Sequence, residues 1–232
     1  MVRSLSTRLP ATAVSPADGS ISVDALGTLG KLVVPFGGLL RGRLTPGEVL
    51  VVIGATGSFG SAAVLLGCAL GAERVVAGGR NASALEDLGR RVGKRVYPVT
   101  LTGNIEADVA ALKHAAGGGA HLTFDMVGRA QDPNATIAGL KSLRRGGRLI
   151  LMGSMTAALP LSYGEVMLNN WEIIGNFMYP ADVFRRILSL VRSGLLDLNA
   201  IQLKTFPLSE LPVAIEAAAS SFGLQSVIVK PR

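Results

Sequence analysis

Cysteine is almost missing from this chain: Cys68 stands alone among 232 residues. That excludes an internal disulfide framework and any metal site built on several thiolates. Cys68 itself falls in an Ala/Leu-rich stretch and reads as a small buried hydrophobe. Histidine is nearly as scarce, with only His114 and His121, and neither belongs to a ligand cluster. Aromatics make up 5% of the chain, with 3 Tyr and 1 Trp. The formal charge is +7, yet the basic residues are scattered, as at Arg41 and Arg43, Arg90 and Arg91, Arg144 and Arg145, Arg185 and Arg186. Without a basic stripe interleaved with aromatics, this charge does not point to nucleic acid, and a phosphorylated small molecule accounts for part of it. No Gly-x-Ser-x-Gly elbow and no phosphate-loop Gly-Lys-Ser/Thr occurs, and Tyr163 is followed four residues later by Met167 rather than by lysine. No apolar core of a secretory signal follows Met1-Val2-Arg3-Ser4-Leu5, where Arg8 and Pro10 come next, so a cytoplasmic protein is expected.

What is present is apolar. Hydrophobic residues make up 49% of the chain and charged residues 17%, which suits a mostly buried α/β sheet. Val49 to Ala72 carries no charge and is long enough to span a bilayer, but Gly54, Gly57 and Gly60 divide it into a strand and a helix. The β-branched run Val49-Leu50-Val51-Val52-Ile53 passes through Gly54-Ala55-Thr56-Gly57-Ser58-Phe59-Gly60 into Ser61-Ala62-Ala63-Val64-Leu65-Leu66. Such a turn leaves free N–H groups at a helix N-terminus, where amides and helix dipole both favour the pyrophosphate of a dinucleotide. Gly57 lets the backbone approach the phosphates, and Gly60 lets the helix lie close on the strand. Gly54, Thr56, Gly57, Ser58, Phe59 and Gly60 are therefore the candidate phosphate cradle.

The alternation continues along the chain. Strands are expected at Val49–Ile53, Arg74–Gly78, Arg95–Val99, Leu122–Val127, Arg148–Met152 and Trp171–Phe177, with helices Ser58–Leu70, Ser83–Val92, Ile105–Ala115 and Asn134–Leu143 between them. Short apolar strands alternating with helices predict a doubly wound parallel six-stranded sheet, with ligands at the switch point between the first and fourth strands. Met1 to about Ile21, rich in Ser, Thr, Ala and Pro, is expected to be extended, and Val23 to Leu44 to be a helix broken near Pro35 and Gly37-Gly38. Val183–Val191 has helical periodicity; a further helix is expected from Phe206-Pro207-Leu208, with Ser209 as its N-cap. Ser226-Val227-Ile228-Val229 is a last strand that must pair outside the main alternation.

The end of the second strand decides between the two nicotinamide dinucleotides, because an acidic residue there holds the ribose hydroxyls and repels a 2′-phosphate. This chain has Gly79, Arg80 and Asn81 at that place. With no carboxylate, and with an arginine able to meet a phosphate in two hydrogen bonds, the reading is NADPH. It also counts against a methyltransferase, whose ribose site needs the acid. Asp125 and Val127 end the fourth strand and Gly153 and Ser154 the fifth, beside the expected nicotinamide half; Asp125 either caps the following loop or touches the ligand. No general acid can be named, since Tyr163 and Tyr179 read as packing or loop residues.

With these residues in place the chain resembles the medium-chain dehydrogenase/reductase superfamily, in its zinc-type alcohol dehydrogenase and quinone oxidoreductase branches. The carriers are Pro46-Gly47-Glu48-Val49-Leu50-Val51 with the glycine turn, Phe124-Asp125-Met126-Val127-Gly128, Gly146-Gly147-Arg148-Leu149-Ile150, Phe206-Pro207-Leu208-Ser209-Glu210-Leu211-Pro212 and Leu224-Gln225-Ser226-Val227-Ile228-Val229. The resemblance implies an α/β fold: a doubly wound parallel six-stranded Rossmann sheet at residues 45–180, with N- and C-terminal remnants of a catalytic domain at 1–44 and 181–232. The zinc ligands of the zinc-using members have no counterpart, so an NADPH-dependent, zinc-free oxidoreductase acting on a carbonyl, quinone or activated alkene is expected. The alternative is a non-catalytic NADPH-binding module or truncated paralogue. Similar enzymes dimerise through the last strand of the sheet, which implies a homodimer through Trp171–Phe177, with no membrane or nucleic-acid partner.

Overall fold

A computed structural model of the protein describes residues 21–231. The expectation of an extended segment from Met1 to about Ile21 falls almost wholly outside those residues. The helices are α1 (Val23–Gly27), α2 (Leu29–Arg41), α3 (Ser58–Ala69), α4 (Ala82–Val92), α5 (Ile105–Ala115), α6 (Asn134–Lys141), α7 (Tyr163–Asn169), α8 (Val183–Arg192) and α9 (Leu211–Ala219). Strands β1 (Val49–Ile53), β2 (Arg74–Gly79), β3 (Val96–Thr100), β4 (Ala120–Asp125), β5 (Leu143–Leu151) and β6 (Glu172–Gly175) form one sheet in the order β3-β2-β1-β4-β5-β6, with every pairing parallel. The expected doubly wound sheet is thus present, with its switch point between β1 and β4.

Why β1 is apolar at every position is plain from the two cores. Leu50 and Val52 face the cluster that holds Leu32, Phe36 and Leu39 of α2, Ala62 and Leu66 of α3, and Val183 and Ile187 of α8. Val51 and Ile53 face the opposite cluster, with Val76, Leu112, Ala138, Leu140 and Leu149. Side chains of a strand alternate between faces, and a parallel strand covered on both sides has no polar face to spare. Among the described residues no helix is long and apolar enough to cross a membrane.

Two expectations are corrected. The break in the first apolar segment lies at Thr28, between α1 and α2, and α2 runs on through Pro35. Proline removes one helical hydrogen bond, but Leu32, Phe36 and Leu39 are nearly or fully buried on either side of it and hold the helix together. The second correction concerns the C-terminal region. Gln202–Pro207 is a strand, β7, which continues through a 3₁₀ turn at Leu208–Glu210, so Ser209 lies inside that turn and Glu210 precedes α9. β7 pairs in parallel with β8 (Gln225–Lys230), from Gln202 opposite Gln225 to Pro207 opposite Lys230. The last strand therefore does pair outside the main sheet, in a small lobe of β7, α9 and β8.

Candidate cofactor site

Three turns meet across the C-terminal edge of β1, β4 and β5. The first follows β1. Gly54 has φ +81, a conformation glycine adopts at no steric cost. The N–H groups of Gly54 and Ala55 both donate to the Gly78 carbonyl at 3.0 Å, and Gly57 N–H donates to the Gly54 carbonyl at 3.0 Å. Gly57 caps α3 without a side chain. The next residues, Ser58 and Phe59, are exposed at the start of α3, where the unpaired first-turn amides of a helix and its dipole favour an anion. A β-carbon on Gly60 would stand 2.1 Å from the Gly54 carbonyl oxygen, so only glycine lets α3 start this close to β1.

The loop after β4 lies between the other two turns and touches both. A β-carbon on Gly54 would stand 3.0 Å from the Met126 carbonyl oxygen, and one on Gly153 would stand 2.2 Å from that of Val127. The end of β5 is thereby pressed onto the loop after β4, with Ser154 Oγ 3.1 Å from the position of a Gly128 β-carbon. Asp125 is 2% exposed. Its carboxylate accepts the Val127 N–H at 3.0 Å and the Thr136 hydroxyl at 3.2 Å, which fastens the β4 loop to the start of α6. Burial pushes its pKa up to about 6, against the pull of these two hydrogen bonds. Asp125 thus caps the loop after β4.

On the other side of β1, Gly79 is buried and a β-carbon there would stand 3.1 Å from the Thr56 methyl group, while Arg80 is exposed. Asn81 accepts the Ala84 N–H at 3.1 Å and the Ser83 hydroxyl at 2.9 Å, which makes it the N-cap of α4. Asn81, a cofactor candidate from the sequence, thus has a capping role as well, and an asparagine just before a helical stretch is the signal for it. Sequence reasoning missed Asp108. It is 1% exposed and receives Thr102 N–H (2.8 Å), the Thr102 hydroxyl (2.9 Å) and Gly103 N–H (3.0 Å), so it holds the loop after β3.

The remaining polar candidates lie elsewhere. His121 is at the opposite end of the sheet, where Nδ1 accepts Val49 N–H at 3.1 Å and Nε2 is 2.7 Å from the Arg144 guanidinium. His114 is exposed near the end of α5, and Cys68 is buried in α3. Tyr163 is exposed on α7, and Tyr179 stands where a β-carbon on Gly37 would be. Among the described residues no three His, Cys, Asp or Glu come together as a metal site would require.

A glycine turn with free amides at the switch point of a doubly wound parallel sheet defines a dinucleotide-binding α/β domain. The chain belongs to the zinc-binding dehydrogenase family, whose profile matches residues 59–193, within the medium-chain dehydrogenase/reductase superfamily. It is 30% identical over 198 residues to a putative D-xylulose reductase of Rhizobium meliloti (strain 1021), covering 83% of this chain and 54% of that one. Among solved structures it is similar to the alcohol dehydrogenase TADH from Thermus sp. ATN1, with 25% identity, a TM-score of 0.71 and coverage of 90% of this chain and 59% of that one. It also shares its fold with 2R,3R-butanediol dehydrogenase from Bacillus subtilis, with a TM-score of 0.78, 18% identity and coverage of 91% and 59%. The chain spans 54% and 57% of the two curated relatives, about half their length.

Proposed function

We propose that this chain binds NADPH and serves an oxidoreductase that transfers hydride to a carbonyl, quinone or activated alkene without zinc. The observation that carries the reading is the backbone cradle of Gly54 to Gly60 at the meeting of the three turns. In this reading Gly54, Thr56, Gly57, Ser58, Phe59 and Gly60 hold the pyrophosphate. Gly79 and Arg80 receive the 2′-phosphate, and Asn81 keeps the adjoining helix end in place. Val127, Gly153 and Ser154 flank the nicotinamide, with Asp125 holding their loop from beneath. The bound dinucleotide supplies the hydride; the chain supplies orientation and a wall against water. The zinc-free part of this reading is carried over from the sequence, where the zinc ligands of the zinc-using members have no counterpart, and the carbonyl chemistry is supported by relatives named as a reductase and an alcohol dehydrogenase.

Calorimetric titration of the purified chain with NADPH and with NADH tests this. Tight binding of NADPH and weak binding of NADH is expected, and binding of neither overturns the reading. Arg80→Ala should weaken NADPH about tenfold or more, the worth of a charge-assisted hydrogen bond, and leave NADH unchanged. An equal loss for both would place Arg80 on the shared part of the cofactor.

A second reading keeps the backbone cradle of Gly54 to Gly60 as an NADPH-binding module without catalysis. NADPH oxidation against a panel of aldehydes, ketones and quinones separates the two. We further propose a homodimer. β6 ends the sheet, and Phe177, just beyond it, is 90% exposed, so an unpaired strand edge and apolar surface lie together. Light scattering at micromolar concentration should give twice the chain mass, and a monomer mass would refute it.

A further inference from the structure

The lobe of β7, α9 and β8 lies outside the doubly wound sheet, yet a backbone hydrogen bond joins it to the cofactor turn. Gly223, with φ +56, donates its N–H to the Thr56 carbonyl at 3.2 Å. The Thr56 carbonyl and the Gly57 N–H belong to one planar peptide unit. Gly57 N–H is itself bonded to the Gly54 carbonyl at 3.0 Å, so that unit is held at both ends. Its orientation sets how the chain enters α3, and so where the first-turn amides point.

The segment around Gly223 is anchored in turn. The Leu224 side chain is 4% exposed in the core, and its carbonyl accepts Gln202 N–H at 2.9 Å. The Gln225 carbonyl accepts Lys31 Nζ from α2 at 2.5 Å. Asp24 of α1 pairs with Lys230 at the end of β8, also at 2.5 Å. Lys31 is the costlier of these anchors, since burial lowers its pKa to about 8 and its ammonium is spent on a neutral carbonyl.

We propose that the C-terminal lobe braces the phosphate-binding turn through the Gly223–Thr56 hydrogen bond, with Lys31 as the positioning residue that seats the lobe on α2. The proposal deepens the cofactor reading and rests on it for its binding consequence. Coupling between two sites is reciprocal: cofactor on the turn orders the lobe, and a loosened lobe weakens the cofactor.

Amide hydrogen exchange and calorimetry on the full chain test this in the wild type and in Lys31→Met. In the wild type, adding NADPH should slow exchange at residues 57–60 and also at 222–230. Lys31→Met should speed exchange at both segments without cofactor, leave α5 and β5 unchanged, and raise the NADPH Kd about fivefold. Lys31→Gln keeps a donor for the Gln225 carbonyl and should restore most of the affinity, which also serves if the methionine variant does not fold. Faster exchange at 222–230 with residues 57–60 and the Kd unchanged would overturn the brace. If neither NADPH nor NADH slows exchange at 54–60, the cofactor reading itself fails. The brace is then decided by the cofactor-free comparison: faster exchange at 57–60 in Lys31→Met supports it, and unchanged exchange overturns it.

Discussion

Alanine in place of Gly60 is expected to weaken NADPH binding about a hundredfold and to lower the melting temperature by about 5 °C. The added methyl carbon would stand 2.1 Å from the Gly54 carbonyl oxygen and 2.8 Å from its carbon, and these are backbone atoms that cannot rotate away. Nor can the turn retreat, because Gly54 and Ala55 are both bonded to the Gly78 carbonyl on β2. Relief has to come from α3 moving outward by about 1 Å, to the spacing real β-carbons keep, and a displacement of that size at a binding group costs about two powers of ten. The helix resists the movement as well. Further along the same helix Gly67 makes another close approach, with a β-carbon there only 2.5 Å from Leu50, and Ala62, Ala63 and Leu66 are fully buried. Calorimetry with NADPH and a thermal melt of Gly60→Ala check both numbers. An unchanged Kd would mean that the dinucleotide does not sit on this turn. Gly57 makes a useful contrast: its φ of −73 suits any residue, and a β-carbon there would stand 3.3 Å from the Gly54 oxygen. Gly57→Ala asks the turn to give only a few tenths of an ångström, so it should disturb the fold far less than Gly60→Ala and act mainly on binding.

That contrast shows how far the sequence could be read. The strand, turn and helix from Val49 onward were legible because an apolar β-branched run, spaced glycines and an Ala/Leu stretch each have one structural use. The six-stranded order followed from the alternation. β7 was not legible: Gln202 to Pro207 shows no apolar run, and every residue but Phe206 is exposed, so neither a buried run nor an alternation marks the strand. The close approaches at Gly153 and Gly54 were invisible for a similar reason, since each is a contact between loops that only the sheet order brings together. The site residues divide along the same line. Those that would act through backbone, such as Gly57 and Gly60, announce themselves by being glycine. Asp108, Thr136 and Gly223 act by hydrogen bonds across elements, and their residue types are ordinary in loops and helices.

Asp125 carries a second large prediction, because a carboxylate sealed beneath the cofactor turns must make stability depend on pH. Its pKa is raised from 3.8 to about 6 by burial, while the Val127 amide and the Thr136 hydroxyl pull the other way. A carboxyl group whose folded pKa lies above its unfolded value binds more protons in the folded state between those two values. Its contribution is therefore fully present below pH 3.8 and is lost as the pH rises through about 6. Spread over that range the loss comes to about 3 kcal/mol. Asp125→Asn keeps an oxygen to accept the Val127 N–H and offers an amide to the Thr136 oxygen, without a charge to bury. The variant and the wild type should be of similar stability near pH 4. By pH 7.5 the variant should be the more stable by up to about 3 kcal/mol, and the slope of wild-type stability against pH through this window should flatten in it. Urea unfolding across that pH series measures the difference directly. A variant less stable than the wild type at pH 7.5 would show that the ionised carboxylate is needed where it stands, and would favour a direct role for Asp125 at the ligand.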